Sequence, residues 1–346
     1  MMKKKSLQYI SVLNVISAIA VVYMHAQFAF YAFSDEKYWF VTNLIRSLMY
    51  FCVPVFFMIS GATLFDYKEK YSTREFFKKR VKKVIIPFLV WSIIALIYCI
   101  LMGKVEIKNL TVVEILNGIL NAKYQDVYWY FPVIISIYFC IPLFASINKK
   151  MKKSILSFLA VSGFILNFFI PFIISIFNLN IYFPLKSYVC LNYILYFIVG
   201  YLLSKYELKK KYIYFIYLLG IISLLAQIFG TYYFSINSGT IVQTFLGYDK
   251  LPCFLYSISI FTFVKNYSSY ITKNIILCKI VSFLNKYTFS IYLIHMYVRE
   301  ICVRFLHLNT LSIKYMIFMP IPIIIICIGI TWVLRKIKLT RYIVPE

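Results

Sequence analysis

The sequence predicts an all-α fold: a polytopic membrane bundle of about ten transmembrane helices, with both termini cytoplasmic. Three observations lead there. Of the 346 residues, 62% are hydrophobic and only 14% charged, with a mean hydropathy of +0.81; soluble domains are nearer 45–50% apolar and 25% charged. The apolar residues fall into ten runs of roughly membrane-spanning size. The basic residues gather in alternate connections between those runs. This composition excludes cytoplasmic enzymes, secreted domains and disordered chains.

The chain opens MMKKK and enters an apolar run over residues 7–31, interrupted only by small polar residues and His25. The opening is like that of a signal peptide, but no small-residue cleavage site follows and the run exceeds a signal core. It is read as a retained first span. Further spans are expected at 42–65, 84–101, 129–147, 155–177, 188–203, 212–234, 251–264, 283–303 and 313–334, within one integral membrane domain over residues 1–346. The 251–264 run is the shortest. Residues 110–120 make an apolar stretch too short to span, read as an external or interfacial helix.

With the N-terminus inside, the inner segments are 3–5, 68–83, 149–153, 205–211, 265–286 and 335–341, and they hold 27 of the 37 basic residues. The alternation holds at every crossing, which sets the even span number and the cytoplasmic termini. The same distribution accounts for the formal charge of +25. In a soluble protein that charge would suggest nucleic acid; in short loops between spans it points to membrane lipid instead. The eight cysteines (Cys52, Cys99, Cys140, Cys190, Cys253, Cys278, Cys302, Cys327) are scattered through apolar stretches without a CxxC pair. They read as small buried hydrophobes, and no metal site is expected.

The strongest charge run, KEKYSTREFFKKRVKK from Lys68 to Lys83, directly precedes the third span. It suits two roles: an anchor reaching lipid headgroups, or a cradle for a phosphorylated ligand. Arg80 is its most specific member, because a guanidinium holds phosphate bidentately, while Lys82 and Lys83 add diffuse charge.

Polar groups within spans need partners or a cavity. His25 lies toward the outer end of span 1 and His295 in the outer half of span 9; each suits either chemistry or structural hydrogen bonding. His307 reads as a solvated loop residue. Asn14 precedes His25 by eleven residues, about 16 Å along the same helix face. With Ser11, Ser17 and Ala18 it forms a small, polar stripe, which ordinary helix packing would also explain. Arg46 either snorkels to the outer surface or points inward to a carboxylate or substrate. Pro54 is expected to kink span 2, and Ser60-Gly61 to allow close backbone approach. Tyr128, Trp129 and Tyr130 open span 4 as an aromatic girdle or a pocket wall. Arg299, Glu300 and Arg304 form a charged group that an i,i+4 ion pair would account for.

The order and setting of several segments resemble the membrane-bound acyltransferase 3 family. They are LNVISAIAVVYMHA in span 1, VPVFFMISGATLF in span 2, RVKKVIIPFLVW entering span 3, YWYFPVIISIYFCIPLF in span 4 and FLNKYTFSIYLIH in span 9. The resemblance covers almost the whole chain. It implies ten spans and transfer of an acetyl or other short acyl group from acyl-coenzyme A, most simply acetyl-coenzyme A, to a sugar hydroxyl of a surface polysaccharide or its lipid-linked precursor. It also implies a bacterial plasma-membrane location and other polysaccharide-biosynthesis proteins as neighbours. The family's span 1 carries an arginine, ten residues, then a catalytic histidine. His25 matches the histidine, but Asn14 stands at the arginine position, across VISAIAVVYM. Arg80 matches the family's basic residue before the span 3 proline, and His295 the histidine of its late motif. On this resemblance His25 and Asn14 form the catalytic set, Arg80 receives the donor and His295 belongs to the pocket; the reading of the residues adds Lys82 and Lys83 to the donor site and Arg46 and Trp129 to the pocket. A cytoplasmic donor and an outward His25 together require a cavity through the bundle. Two rival classes remain: a transporter or flippase for polysaccharide or lipid-linked sugar, and a membrane sensor or inactive relative in which Asn14 marks lost activity.

Overall fold

The computed structural model describes residues 2–191, 193–338 and 340–345, and the side chains of these apart from 2–7, 109 and 272. Among them every regular element is helical. In chain order these are α1 (Met2–Ala26), α2 (Lys37–Met49), α3 (Cys52–Leu64), α4 (Thr73–Arg80), α5 (Ile86–Leu101), α6 (Val112–Leu120), α7 (Tyr130–Ser146), α8 (Lys149–Phe164) and α9 (Ile170–Ile176). They continue with α10 (Tyr193–Lys205), α11 (Lys210–Leu225), α12 (Thr231–Ser238), α13 (Leu251–Lys273), α14 (Ile275–Asn285), α15 (Thr288–Phe305), α16 (Ile313–Phe318) and α17 (Pro320–Lys336). The N-terminal lysines Lys3–Lys5, counted above as an inner anchor, lie outside the described side chains.

Six helical stretches are long and apolar enough to cross a membrane: Gln8–Ala26, Lys37–Glu69, Thr73–Leu101, Asp126–Ser146, Lys149–Ile176 and Lys210–Ser238. The pair α14 and α15, bent by 66°, makes a seventh if it counts as one span. The remaining expected runs are helical too, but each falls short for a physical reason. Helix α10 has 13 residues, about 20 Å at 1.5 Å per residue. Helix α13 outruns the expected 251–264, but its added half, KNYSSYITK, is polar. The 313–334 run is broken at Met319 between α16 and α17.

Prolines explain two of the three wide π turns that join helices end to end. Pro87 and Pro171 would each press their ring on the carbonyl four residues earlier, at Lys83 and Asn167. Those carbonyls lie within the π turns Val81–Ile85 and Ile165–Phe169, which widen the helix there. Pro54 behaves differently from the expected kink. The chain turns earlier, at Tyr50-Phe51, and Pro54 is the third residue of α3, where its missing N–H costs no helical hydrogen bond.

The chain divides into two units. Unit 1 comprises residues 1–63 and 148–327, unit 2 residues 64–147 and 328–346. In unit 1, α1 is surrounded by α2, α13, α14 and α15. Its apolar stretch is 61% buried and that of Lys37–Glu69 67%, against 11% for Lys149–Ile176 and 22% for Lys210–Ser238, so α1 is a core helix and the last two are the least covered. Helices α3 and α10 touch through backbone. A Cβ on Gly61 would land on the carbonyl of Phe197, and one on Gly200 on the carbonyl of Met58. The sequence expectation of close approach at Ser60-Gly61 is met.

In unit 2, Phe88 stacks on Phe131 at 5.0 Å and Tyr67 on Phe76 at 4.4 Å. Trp91 Nε1 donates to the Ile343 carbonyl at 2.9 Å, and Arg335 donates to the carbonyls of Val344 and Pro345. Helix α6 occupies the short 110–120 run. Thr111 and Glu114 cap it reciprocally, each side chain bonding the other's backbone N–H.

Candidate active site

Helix α1 carries its polar residues on the face turned to its neighbours. Near its C-terminal end, the imidazoles of His25 and His295 meet with ring centroids 5.3 Å apart and planes inclined by 44°. His295, on α15, is 1% exposed. Its Nδ1 lies 3.0 Å from the Ile291 carbonyl and 2.8 Å from that of Tyr292. Carbonyl oxygens only accept, so Nδ1 must carry a proton. In the neutral ring, Nε2 is then a bare acceptor; it is buried and without a protein partner.

Two guanidiniums lie within electrostatic reach of His25, those of Arg46 and Arg299. Arg46, on α2, is 9% exposed and donates to the Tyr31 hydroxyl at 2.6 Å. Its guanidinium lies 4.8 Å from the ring centres of Phe30 and Tyr31 and 5.6 Å from that of Tyr50. It neither snorkels nor meets a carboxylate; aromatic faces hold the cation instead. Arg299 lies 4.0 Å from the Phe28 ring centre, and its Nε is buried without a partner, as is that of Arg46. Glu300 is committed elsewhere, accepting from Arg304 at 2.9 Å as the i,i+4 spacing predicts. Among the described residues, neither Arg46 nor Arg299 has an ion-pair partner.

Asn14 takes no part in this cluster. Its Nδ2 donates to Asn285 Oδ1 at 3.2 Å, tying α1 to the last residue of α14, just before the bend into α15. Between the two levels of α1, Ser17 is fully buried with an unpartnered hydroxyl.

The remaining sequence candidates belong to unit 2. Arg80 ends α4, half-buried, 5.7 Å from the ring centres of both Phe76 and Tyr138; its Nε is unpartnered. Lys82 and Lys83 follow in the π turn, both exposed, with Lys82 5.4 Å from the Tyr342 ring centre. Trp129 closes the 3-10 turn Asp126–Trp129 before α7 and is half-buried.

The structure thus brings His25, His295 and Arg46 together and sets Asn14 apart from them along α1. Sequence reading had assigned Arg299 to an ion-pair group. Its signal was available: it lies four residues after His295, on the same face of α15. Tyr31 and Tyr50, which hold Arg46, carried no distinguishing signal among 32 tyrosines. Among the described residues, no three His, Cys, Asp or Glu side chains gather as metal ligands do.

A polytopic helical membrane protein with histidines and unpaired arginines gathered at one end of a core helix is the class these features define. The family model described as an acyltransferase domain matches residues 7–334, so the chain belongs to the membrane-bound acyltransferase 3 family. Comparison with curated proteins and with solved structures gave no match.

Proposed function

We propose that this protein is an O-acyltransferase that moves an acetyl or other short acyl group from acyl-coenzyme A to a sugar hydroxyl of a cell-surface polysaccharide or its lipid-linked precursor. The observation that carries the reading is the His25–His295 pair flanked by Arg46 and Arg299. A hydroxyl is a poor nucleophile at neutral pH. His25 accepts its proton as the oxygen attacks the thioester carbonyl, the C–S bond breaks, and the departing thiolate takes up the proton. The unpaired guanidiniums supply positive charge where the tetrahedral oxyanion develops. His295 packs its ring against His25, with centroids 5.3 Å apart, and leaves its Nε2 free to accept a hydrogen bond from the acceptor. Asn14 acts one level away, holding α1 against Asn285 where the family has an arginine. Within unit 2, Arg80, Lys82 and Lys83 offer positive charge suited to the donor's phosphates, and Trp129 offers an aromatic face.

In this reading the chain crosses a bacterial plasma membrane ten times as one domain, with both termini in the cytoplasm. The charge alternation and the helical state of all ten apolar runs support it. Membrane lipid, the sugar acceptor and other polysaccharide-biosynthesis proteins are its partners.

The test uses purified protein in nanodiscs with acetyl-coenzyme A and surface oligosaccharides from the source cell. Free thiol should appear only when the oligosaccharide is present. Sugar movement across liposomes without thiol release would replace the reading by a transporter.

A further inference from the structure

Unit 1 holds a cavity of about 210 Å³ that the chemistry above leaves unused. Drug-sized sites are typically 300–1,000 Å³, so this one suits a single ring rather than a nucleotide. Its walls combine the rings of Phe172 and Phe183, the hydroxyls of Ser175 and Thr244, and the charged groups of Lys186, Asp249 and Lys250. With Lys250 paired to Asp249, a phosphate would meet one further ammonium beside a carboxylate, and an acyl chain would leave Ser175, Thr244, Lys186 and Asp249 unanswered. A pyranose matches the mixture: its C–H face lies on aromatic rings, while its hydroxyls donate to carboxylate and accept from ammonium and hydroxyl groups.

The walls are fixed. Asn167, in the π turn between α8 and α9, donates to the carbonyls of Ser187 and Cys190 and accepts from Ser187 N at 2.9 Å, clamping one end of the 178–187 connection. Phe172 meets Phe245 edge-on at 5.7 Å, tying in the 239–250 connection. Asp249 pairs with Lys250 at 3.2 Å, with its side chain still 69% exposed. Its Oδ1 would lie 2.7 Å from a Cβ at Gly247, so a side chain there would turn the carboxylate.

One residue joins this cavity to the histidine end of α1. Tyr248, next to Asp249, donates to Met24 Sδ at 3.4 Å, beside His25, and its carbonyl accepts from the Tyr196 hydroxyl at 2.8 Å. Its ring lies 4.6 Å from that of Tyr50, one of the rings around Arg46. The cavity therefore lies at the His25 end of the bundle, which the proposed topology turns outward.

We infer that this cavity is a glycan subsite that binds one sugar ring of the acceptor, with Asp249 and Thr244 bonding its hydroxyls and Phe172 and Phe183 stacking on its apolar face. The inference rests on the acceptor being a sugar, as proposed above, but its readout is binding, which is independent of transfer.

The full chain in nanodiscs is probed by saturation-transfer NMR with the methyl glycosides of glucose, galactose, mannose and N-acetylglucosamine. At least one should show saturation transfer from the wild type. That signal should fall at least tenfold in Asp249→Asn and vanish in Thr244→Phe, which fills the cavity, while His25→Ala retains it. Gly247→Ala should weaken it as well. Each variant is accepted only if its elution profile and thermal transition match the wild type; if Thr244→Phe does not fold, Asp249→Asn decides. No signal from any of the four glycosides, or an undiminished one in Asp249→Asn, overturns the subsite. Sugar binding without acceptor-dependent thiol release would keep the subsite and overturn the acyltransferase reading.

Discussion

The two ends of the polar stripe on α1 are built to opposite rules. At Asn14 a neutral amide meets a neutral amide, Asn285, donor to acceptor at 3.2 Å. At His25 the surroundings are left unfinished: a bare Nε2 on His295 and two guanidinium Nε atoms, buried and unpartnered. Buried polar groups without partners cost roughly 1–3 kcal/mol each. Three of them gather at this end of α1. On the proposed function, the contrast separates a structural tie from the place where charge and protons are received.

The sharpest way to break this contrast is His25→Ala. Turnover per folded molecule, measured as acceptor-dependent thiol release, is expected to fall by about 10²–10⁴-fold, the usual contribution of a general base. The yield of folded protein should stay near wild type. Near-normal turnover would remove the proposed base. Next comes Arg299→Gln, which keeps hydrogen-bond donors but deletes charge. A loss of about 10²-fold in kcat with little change in donor KM is expected of a group stabilising an oxyanion. A change confined to KM would instead make Arg299 a binding residue.

At the other end, Asn14→Ala should lower stability by about 0.5–1.5 kcal/mol through the lost hydrogen bond. Turnover of the folded fraction should fall less than tenfold. A loss as large as that of His25→Ala would erase the contrast and place Asn14 in the chemistry. Thermal unfolding and single-turnover kinetics on the same samples distinguish the two.

The smallest effect is expected at the exposed cap of α6, another satisfied polar pair. Hydrogen bonds from the Thr111 backbone N–H and then its hydroxyl hold the Glu114 carboxyl below its usual value. A depressed folded pKa means that the cap's stabilisation is fully present above the unfolded value of about 4.3. It is lost as pH falls through the folded value. Amide exchange at the start of α6 should therefore accelerate only in that acidic range, and Glu114→Gln should abolish the pH dependence.

How much of this was legible in the sequence follows from the range of each interaction. Hydropathy sets where helices form, because a lipid-facing backbone must satisfy its own hydrogen bonds. It does not mark where a run breaks. The turn at Tyr50-Phe51 and the gap at Met319 fall inside continuous apolar stretches. His25 and His295 were both readable as polar exceptions, with the family resemblance naming them, but their meeting across 270 residues is a product of packing. Asn285 was hidden for the same reason: nothing local in FLNKY says that it answers Asn14. The aromatic setting of Arg46 was obscured because aromatic residues make up 20% of the chain.

The crossing of α3 and α10 carries a consequence for which sequences this fold can accept. At Gly220, the atoms in the way of an added methyl are Cβ and Oγ of Ser259, so a glycine at 259 makes room. At Gly61 and Gly200 the obstacle is main chain, the carbonyls of Phe197 and Met58. Main chain is common to every amino acid, so no second-site substitution restores space. The first position can drift with its neighbour; the other two can hold only glycine for as long as the helices cross where they do.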